Sequence, residues 1–188
     1  MTRWLAPPYH GEGPHALWHV SEDAGIEHFE PRPIPFWPDL DPRIWAVDTR
    51  HLPLFWFPRD CPRGTFWAGD ETADADVERF LTGDRTLRVH AVEGDWLDRI
   101  RDMQVYAYRL PEEGFEPFEE VGGSWTTREP LDPIEVFELV DPLKLHVSAG
   151  IELRLVPKLW ALWDQVVDST LEYGGIRLQN AAPPSPTA

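Results

Sequence analysis

Proline placement constrains this chain more than any other feature. Twenty of its 188 residues are proline, and each one fixes φ and removes a backbone donor, so the chain is cut into short elements joined by fixed turns. Pro31, Pro33, Pro35 and Pro38 forbid a regular helix or a central strand in that stretch. Pro7-Pro8 and Pro14, set among Gly11 and Gly13, make residues 1–16 an irregular lead-in, and Pro183-Pro184-Ser185-Pro186 makes residues 179–188 a disordered tail. Between them there is no internal repeat and no low-complexity linker. Residues 17–178 are therefore expected to form a single α+β domain, with 42% hydrophobic content sufficient for one buried core.

The elements between the prolines are short. Leu17–Val20, Ile44–Val47, Gly64–Ala68, Thr86–Val92, Val105–Leu110 and Pro133–Val140 read as strands; in Thr86–Val92 the apolar residues Leu87, Val89 and Ala91 alternate. Ser21-Glu22-Asp23 is expected to cap a helical turn through Phe29. Arg50 to Phe57 reads as helical with Pro53 in its first turn, and Asp76–Leu81 and Asp95–Arg101 as short helices. The longest predicted helix is Leu159–Tyr173, with Leu159, Leu162, Trp163, Val166 and Val167 at helical spacing and Gly174-Gly175 as its stop. The expected architecture is α+β: split, twisted, small mixed sheets with short flanking helices, and a C-terminal amphipathic helix packed through Trp160, Leu162 and Trp163.

Charge narrows the function classes. A formal net charge of -16 repels phosphate backbones, so nucleic-acid binding is disfavoured unless a local Arg cluster overrides it, and a free small molecule or a basic protein is the expected partner. No stretch approaches the ~20 apolar residues of a membrane span. The one cysteine, Cys61, has no internal disulfide partner, and the N-terminal region lacks a basic start followed by an apolar run, so a cytoplasmic location is expected.

Two blocks, Leu17-Trp18-His19-Val20-Ser21-Glu22-Asp23 with Ile26, Phe29, Pro31 and Arg32, and Phe57-Pro58-Arg59-Asp60-Cys61-Pro62-Arg63, resemble an uncharacterised bacterial domain family. Val156 to Trp163 and Gly175-Ile176-Arg177-Leu178 look like its C-terminal signature. A weaker similarity is to the ADP-ribosyltransferase fold. The pieces that carry it are Trp18-His19, Ile44-Trp45-Ala46-Val47, Val105-Tyr106-Ala107-Tyr108 and Thr126-Thr127-Arg128-Glu129, in that order.

The second resemblance implies a transferase that uses NAD as its substrate, splitting the bond between nicotinamide and ribose and passing ADP-ribose to a small molecule or protein side chain as acceptor. An oxocarbenium-like transition state favours a nearby carboxylate, and Glu129 is the candidate. His19 is the candidate for hydrogen-bonding a ribose, with Ser21 holding that strand end, and Trp45 for packing on nicotinamide, a place where the family more often has Tyr. Arg59 and Arg63 are candidates for a diphosphate clamp. Each residue also has a plainer reading: His19 as a bonded strand histidine, Glu129 as a solvated turn carboxylate, Trp45 as core.

Other constellations compete. Arg59 and Arg63 flank Cys61, and cations favour a thiolate, which suggests a thiol-dependent enzyme; a buried thiol in a tight turn is the alternative. Asp48 and His51, with His19 or His28, could share a metal, but neither an HExxH nor a paired-cysteine motif supports one, and no metal is expected. No glycine-rich phosphate loop is present. A non-catalytic binding module with tryptophan-rich walls is the alternative to catalysis, and Gly122-Gly123 reads as a mobile loop beside Glu129.

Overall fold

A computed structural model describes residues 16–34, 37–119 and 121–184. The expected lead-in lies outside the described residues except for Ala16, as do the last four residues of the expected tail. The stretch read as one domain divides into two compact units, Met1–Trp56 with Gln104–Val140 and Phe57–Met103 with Asp141–Ala188. The fold class is α+β, with two sheets and four short helices among the described residues.

The first unit is built on a six-stranded antiparallel sheet. Its strands are β1 (Leu17–Ser21), β2 (Ile44–Asp48), β5 (Tyr106–Leu110), β6 (Glu116–Pro117), β7 (Ser124–Thr127) and β8 (Glu135–Glu138), in the order β6-β7-β2-β1-β5-β8. Side chains alternate between faces with period two. Leu17, Ile44, Ala46, Tyr108 and Leu110 fall on one face and form a core with Phe29 and Phe115. The register places His19 opposite Tyr108 on that same face.

Residues 22–26 do not form the predicted helical turn. The Ser21 hydroxyl accepts the Asp23 N–H at 3.1 Å and the Asp23 carboxylate accepts the Gly25 N–H at 2.8 Å, so both side chains close local turns instead of capping a helix. Tyr108 then fastens the loop, its hydroxyl donating to the Asp23 carbonyl at 2.6 Å and accepting the Ile26 N–H at 3.2 Å. The predicted helix around Pro53 is reduced to a single 3-10 turn, Leu52–Phe55.

The second unit carries β3 (Arg63–Trp67), β4 (Arg88–Glu93), β9 (Ile151–Val156) and β10 (Glu172–Ile176) in the order β10-β3-β4-β9, with β4 and β9 parallel. Its helices are α1 (Asp74–Leu81), α2 (Leu97–Asp102), α3 (Pro142–Ser148) and α4 (Trp160–Val167). Phe66, Val89 and Ala91 of the sheet pack with Val77, Phe80 and Leu81 of α1 and with Trp163 and Val166 of α4; Trp160 and Leu162 join the margin of this core.

The C-terminal helix is half the predicted length. Ser169 donates its hydroxyl to the Val166 carbonyl at 2.6 Å, and Asp76 captures the Thr170 N–H at 2.8 Å, so the backbone leaves the helix six residues before Tyr173. Gly174 and Gly175, read as a helix stop, belong to β10. Their smallness serves packing: a Cβ at Gly64 or Gly175 would come within 2.6 or 2.8 Å of the Trp163 ring, which lies on these two strands.

Candidate functional site

In the first unit, Arg43, Gly114, Glu116, Thr126, Thr127, Arg128 and Glu129 line a cavity of about 370 Å³ around the end of β7. The sheet builds it. β7 pairs with β2 on one side and with the short β6 on the other, so Trp45, Thr126 and Glu116 form one row across three strands on one face. Arg43 precedes Trp45 by two positions and reaches the same row, donating from Nη1 to Thr126 Oγ1 at 3.1 Å. Its guanidinium also lies 5.6 Å from the centroid of the Phe118 ring.

Glu129 is exposed at the cavity, its N–H donating to Thr127 Oγ1 at 3.2 Å. Arg128 pairs with Asp41 at 3.0 Å, where both side chains are more than half exposed, so the guanidinium is held only loosely and can turn to a ligand. The cavity thus presents two guanidiniums, two carboxylates and two hydroxyls, a lining suited to a polar, hydrogen-bonding molecule.

Trp45 stands on the face that carries Arg43, Thr126 and Glu116. It stacks on Trp37 at 5.7 Å and meets Phe118 edge-on at 4.8 Å. His19 is on the opposite face, packed edge-on against Phe29 at 5.0 Å. The carbonyl of Trp45 accepts from His19 Nδ1 at 2.9 Å, which fixes the proton on that nitrogen. His19 and Trp45 therefore do not enclose one hollow, because the alternation of β1 and β2 sends their side chains apart. Ser21 is engaged in its turn with Asp23.

Arg59 and Arg63 belong to the second unit and do not act as a pair. Arg59 is exposed, whereas Arg63 is buried, donates to the Cys61 carbonyl at 2.8 Å and lies over the Phe57 ring. Of the residues expected to hold NAD, His19, Ser21 and Trp45 thus lie in the first unit and Arg59 and Arg63 in the second. Cys61 is fully buried, and desolvation pushes its thiol up to about 12 despite Arg63 and Arg99 nearby. Burial outweighs the flanking cations, so the expectation of an activated thiolate is not met.

The same unit buries a histidine pair that the sequence reading passed over. His146 donates from Nδ1 to the Pro142 carbonyl at 2.7 Å, so its Nε2 accepts from His90 Nδ1 at 3.1 Å. His90 Nε2 has no partner among the described residues. Burial lowers the pKa of both, well below the usual value for His90 and to about 4 for His146, so both imidazoles are neutral.

Among the described residues, no three of His, Cys, Asp and Glu gather as a metal-binding set. Asp48 and His51 bond each other, Nδ1 to Oδ1 at 2.8 Å. At Gly123 the carbonyl accepts the Asp48 N–H at 3.0 Å, φ is +74°, and a Cβ would overlap the His51 imidazole, so this position requires glycine. No helix among the described residues is long and apolar enough to cross a membrane.

The chain belongs to a family described as a family of unknown function, DUF6886, whose model matches residues 18–181. The match takes in both sequence blocks, apart from Leu17, and the C-terminal signature that suggested such a family. No curated protein and no solved structure matches the chain.

Proposed function

We propose that the first unit is a small-molecule-binding module whose ligand seats in the cavity at the end of β7. The observation that carries this reading is the convergence of Arg43, which immediately precedes β2, Thr126 and Thr127 of β7, and Arg128 and Glu129, which follow β7, on one hollow of about 370 Å³. That volume lies in the range of small-molecule sites, and its charged and hydroxyl groups supply orientation. A ligand that binds only the folded state stabilises it by RT ln(1 + [L]/Kd), about 2.7 kcal/mol at a hundred times Kd. A thermal-shift screen of small charged and polyhydroxylated molecules is expected to find stabilising ligands whose effect is lost in Arg43→Gln and reduced in Glu129→Gln. No stabilisation of the wild-type protein by any compound would dismiss the module.

Glycosyl transfer from NAD is the narrower second reading, favoured by the place of Glu129 in the cavity beside Arg43 and Arg128. It keeps Glu129 as the carboxylate near the reacting sugar and gives His19 a role in holding the Trp45 backbone. In this reading the wild type releases nicotinamide from NAD and Glu129→Gln does not. Tight binding of ligands without such release leaves the binding module alone.

A further inference from the structure

The chemistry of the ligand can be read from donors that the protein itself leaves unanswered, a step that rests on the cavity being a ligand site. Arg43 Nε and Trp45 Nε1 are both buried and have no acceptor among the described residues. They are two positions apart and point to the same face of the sheet. Trp45 is directly opposite Thr126, a cavity residue, and directly opposed residues bring their Cβ atoms to roughly 5 Å. Arg43 lines the cavity and already binds Thr126 through Nη1, which leaves its Nε edge unused.

A buried N–H without an acceptor has lost its hydration with nothing in return, so two such donors on one face are an unfavourable arrangement unless something answers them. The surroundings raise the value of an answer. Trp37 and Phe118 pack on Trp45, and Phe118 also lies under the Arg43 guanidinium, so apolar surface keeps water from these donors and strengthens any charge placed between them. Glu116 and Glu129 are exposed and call for the opposite chemistry, a hydroxyl or an ammonium.

We propose that the ligand carries an oxyanion, carboxylate or phosphate, that accepts from Arg43 Nε and Trp45 Nε1, and that its other end bears hydroxyl or ammonium groups facing Glu116 and Glu129. Such a ligand is a small two-ended molecule, anionic inside and donor-bearing outside. Its neutral or zwitterionic balance suits a chain whose net charge of -16 repels polyanions.

Indole N–H resonances of protein labelled with 15N-tryptophan, with Trp45 assigned by Trp45→Phe, test this directly when combined with backbone amide shifts of Thr127 and Glu129. The probes are phosphoethanolamine and 4-aminobutyrate, which separate phosphate from carboxylate, and ethanolamine, which lacks the oxyanion. At least one of the first two is expected to move the Trp45 indole saturably, ethanolamine is not, and Arg43→Gln is expected to raise Kd at least tenfold. Arg43→Lys keeps the charge without the Nε–H and is expected to weaken binding as well. Saturable shifts of Thr127 and Glu129 with the Trp45 indole unmoved, or wild-type affinity in Arg43→Lys, overturn the oxyanion assignment while the binding site stands. Amides and indole unmoved by every probe count against both.

Discussion

The two units set their buried polar groups in different surroundings. In the second, Arg63 holds the Cys61 carbonyl, Glu93 accepts the Leu159 and Ala182 N–H groups, and His146 joins His90 to the Pro142 carbonyl, leaving the fully buried His90 Nε2 without a partner among the described residues. In the first, Arg43 and Trp45 keep buried donors unanswered on the row that borders the cavity. An unsatisfied buried group calls for an explanation, and one that borders a cavity can be answered by a ligand. That difference directs attention to the first unit for function and to the second for stability.

The largest effect expected from this contrast is in the packing of the second unit. Trp163→Ala removes the ring that fills the space above Gly64 and Gly175, and urea denaturation is expected to show a loss of about 3–5 kcal/mol. A loss under about 1 kcal/mol would mean that the ring is not the centre of that core.

Next in size is the response to acid. His90 and His146 have folded pKa values below the unfolded value near 6.5, so the folded state binds fewer protons; their stabilising contribution is complete above pH 6.5 and is lost as pH falls towards 4. For His146 alone the loss reaches about 2 kcal/mol by pH 5. His28 in the first unit has the opposite sign. Its hydrogen bond to Asp132 raises its pKa, so its contribution is present below pH 6.5 and fades as pH rises. Denaturation at pH 7, 6 and 5 should show falling stability, and His90→Phe combined with His146→Leu should flatten the profile. An unchanged slope in the double variant would contradict the neutral buried pair.

The smallest effect belongs to the first unit. Tyr108→Phe deletes the hydroxyl that fastens residues 23–26 and should cost about 1 kcal/mol, with the indole spectrum of Trp45 unchanged. A loss comparable to that of Trp163→Ala would erase the contrast between a ligand-bearing unit and a stability-bearing one.

Much of the local structure was legible, and the misses have physical causes. β1, β2 and β4 show in their apolar patterns, and α1 in its spacing. Asp141-Pro142 is a cap followed by a first-turn proline, and Ile151, Leu153 and Leu155 alternate, so α3 and β9 carried signals that went unread. The end of α4 is only partly local: Ser169 bonds back to the Val166 carbonyl, but Asp76, 94 residues from Thr170, draws the backbone away from the helix.

The candidate site divides in the same way. Glu129 was singled out through the weaker family resemblance, whereas nothing marked Arg43, since its meaning depends on reaching Thr126, 83 residues away in the chain.

Taken alone, the sequence determined the short elements, the acidic surface and the family, because proline, side-chain alternation and charge act within a few residues of where they are written. Tertiary structure decided which face each side chain meets, whether Cys61 ionises, and that Arg43, Thr126 and Glu129 share a hollow. Those outcomes follow from strand pairing and desolvation, which depend on residues brought together from distant parts of the chain.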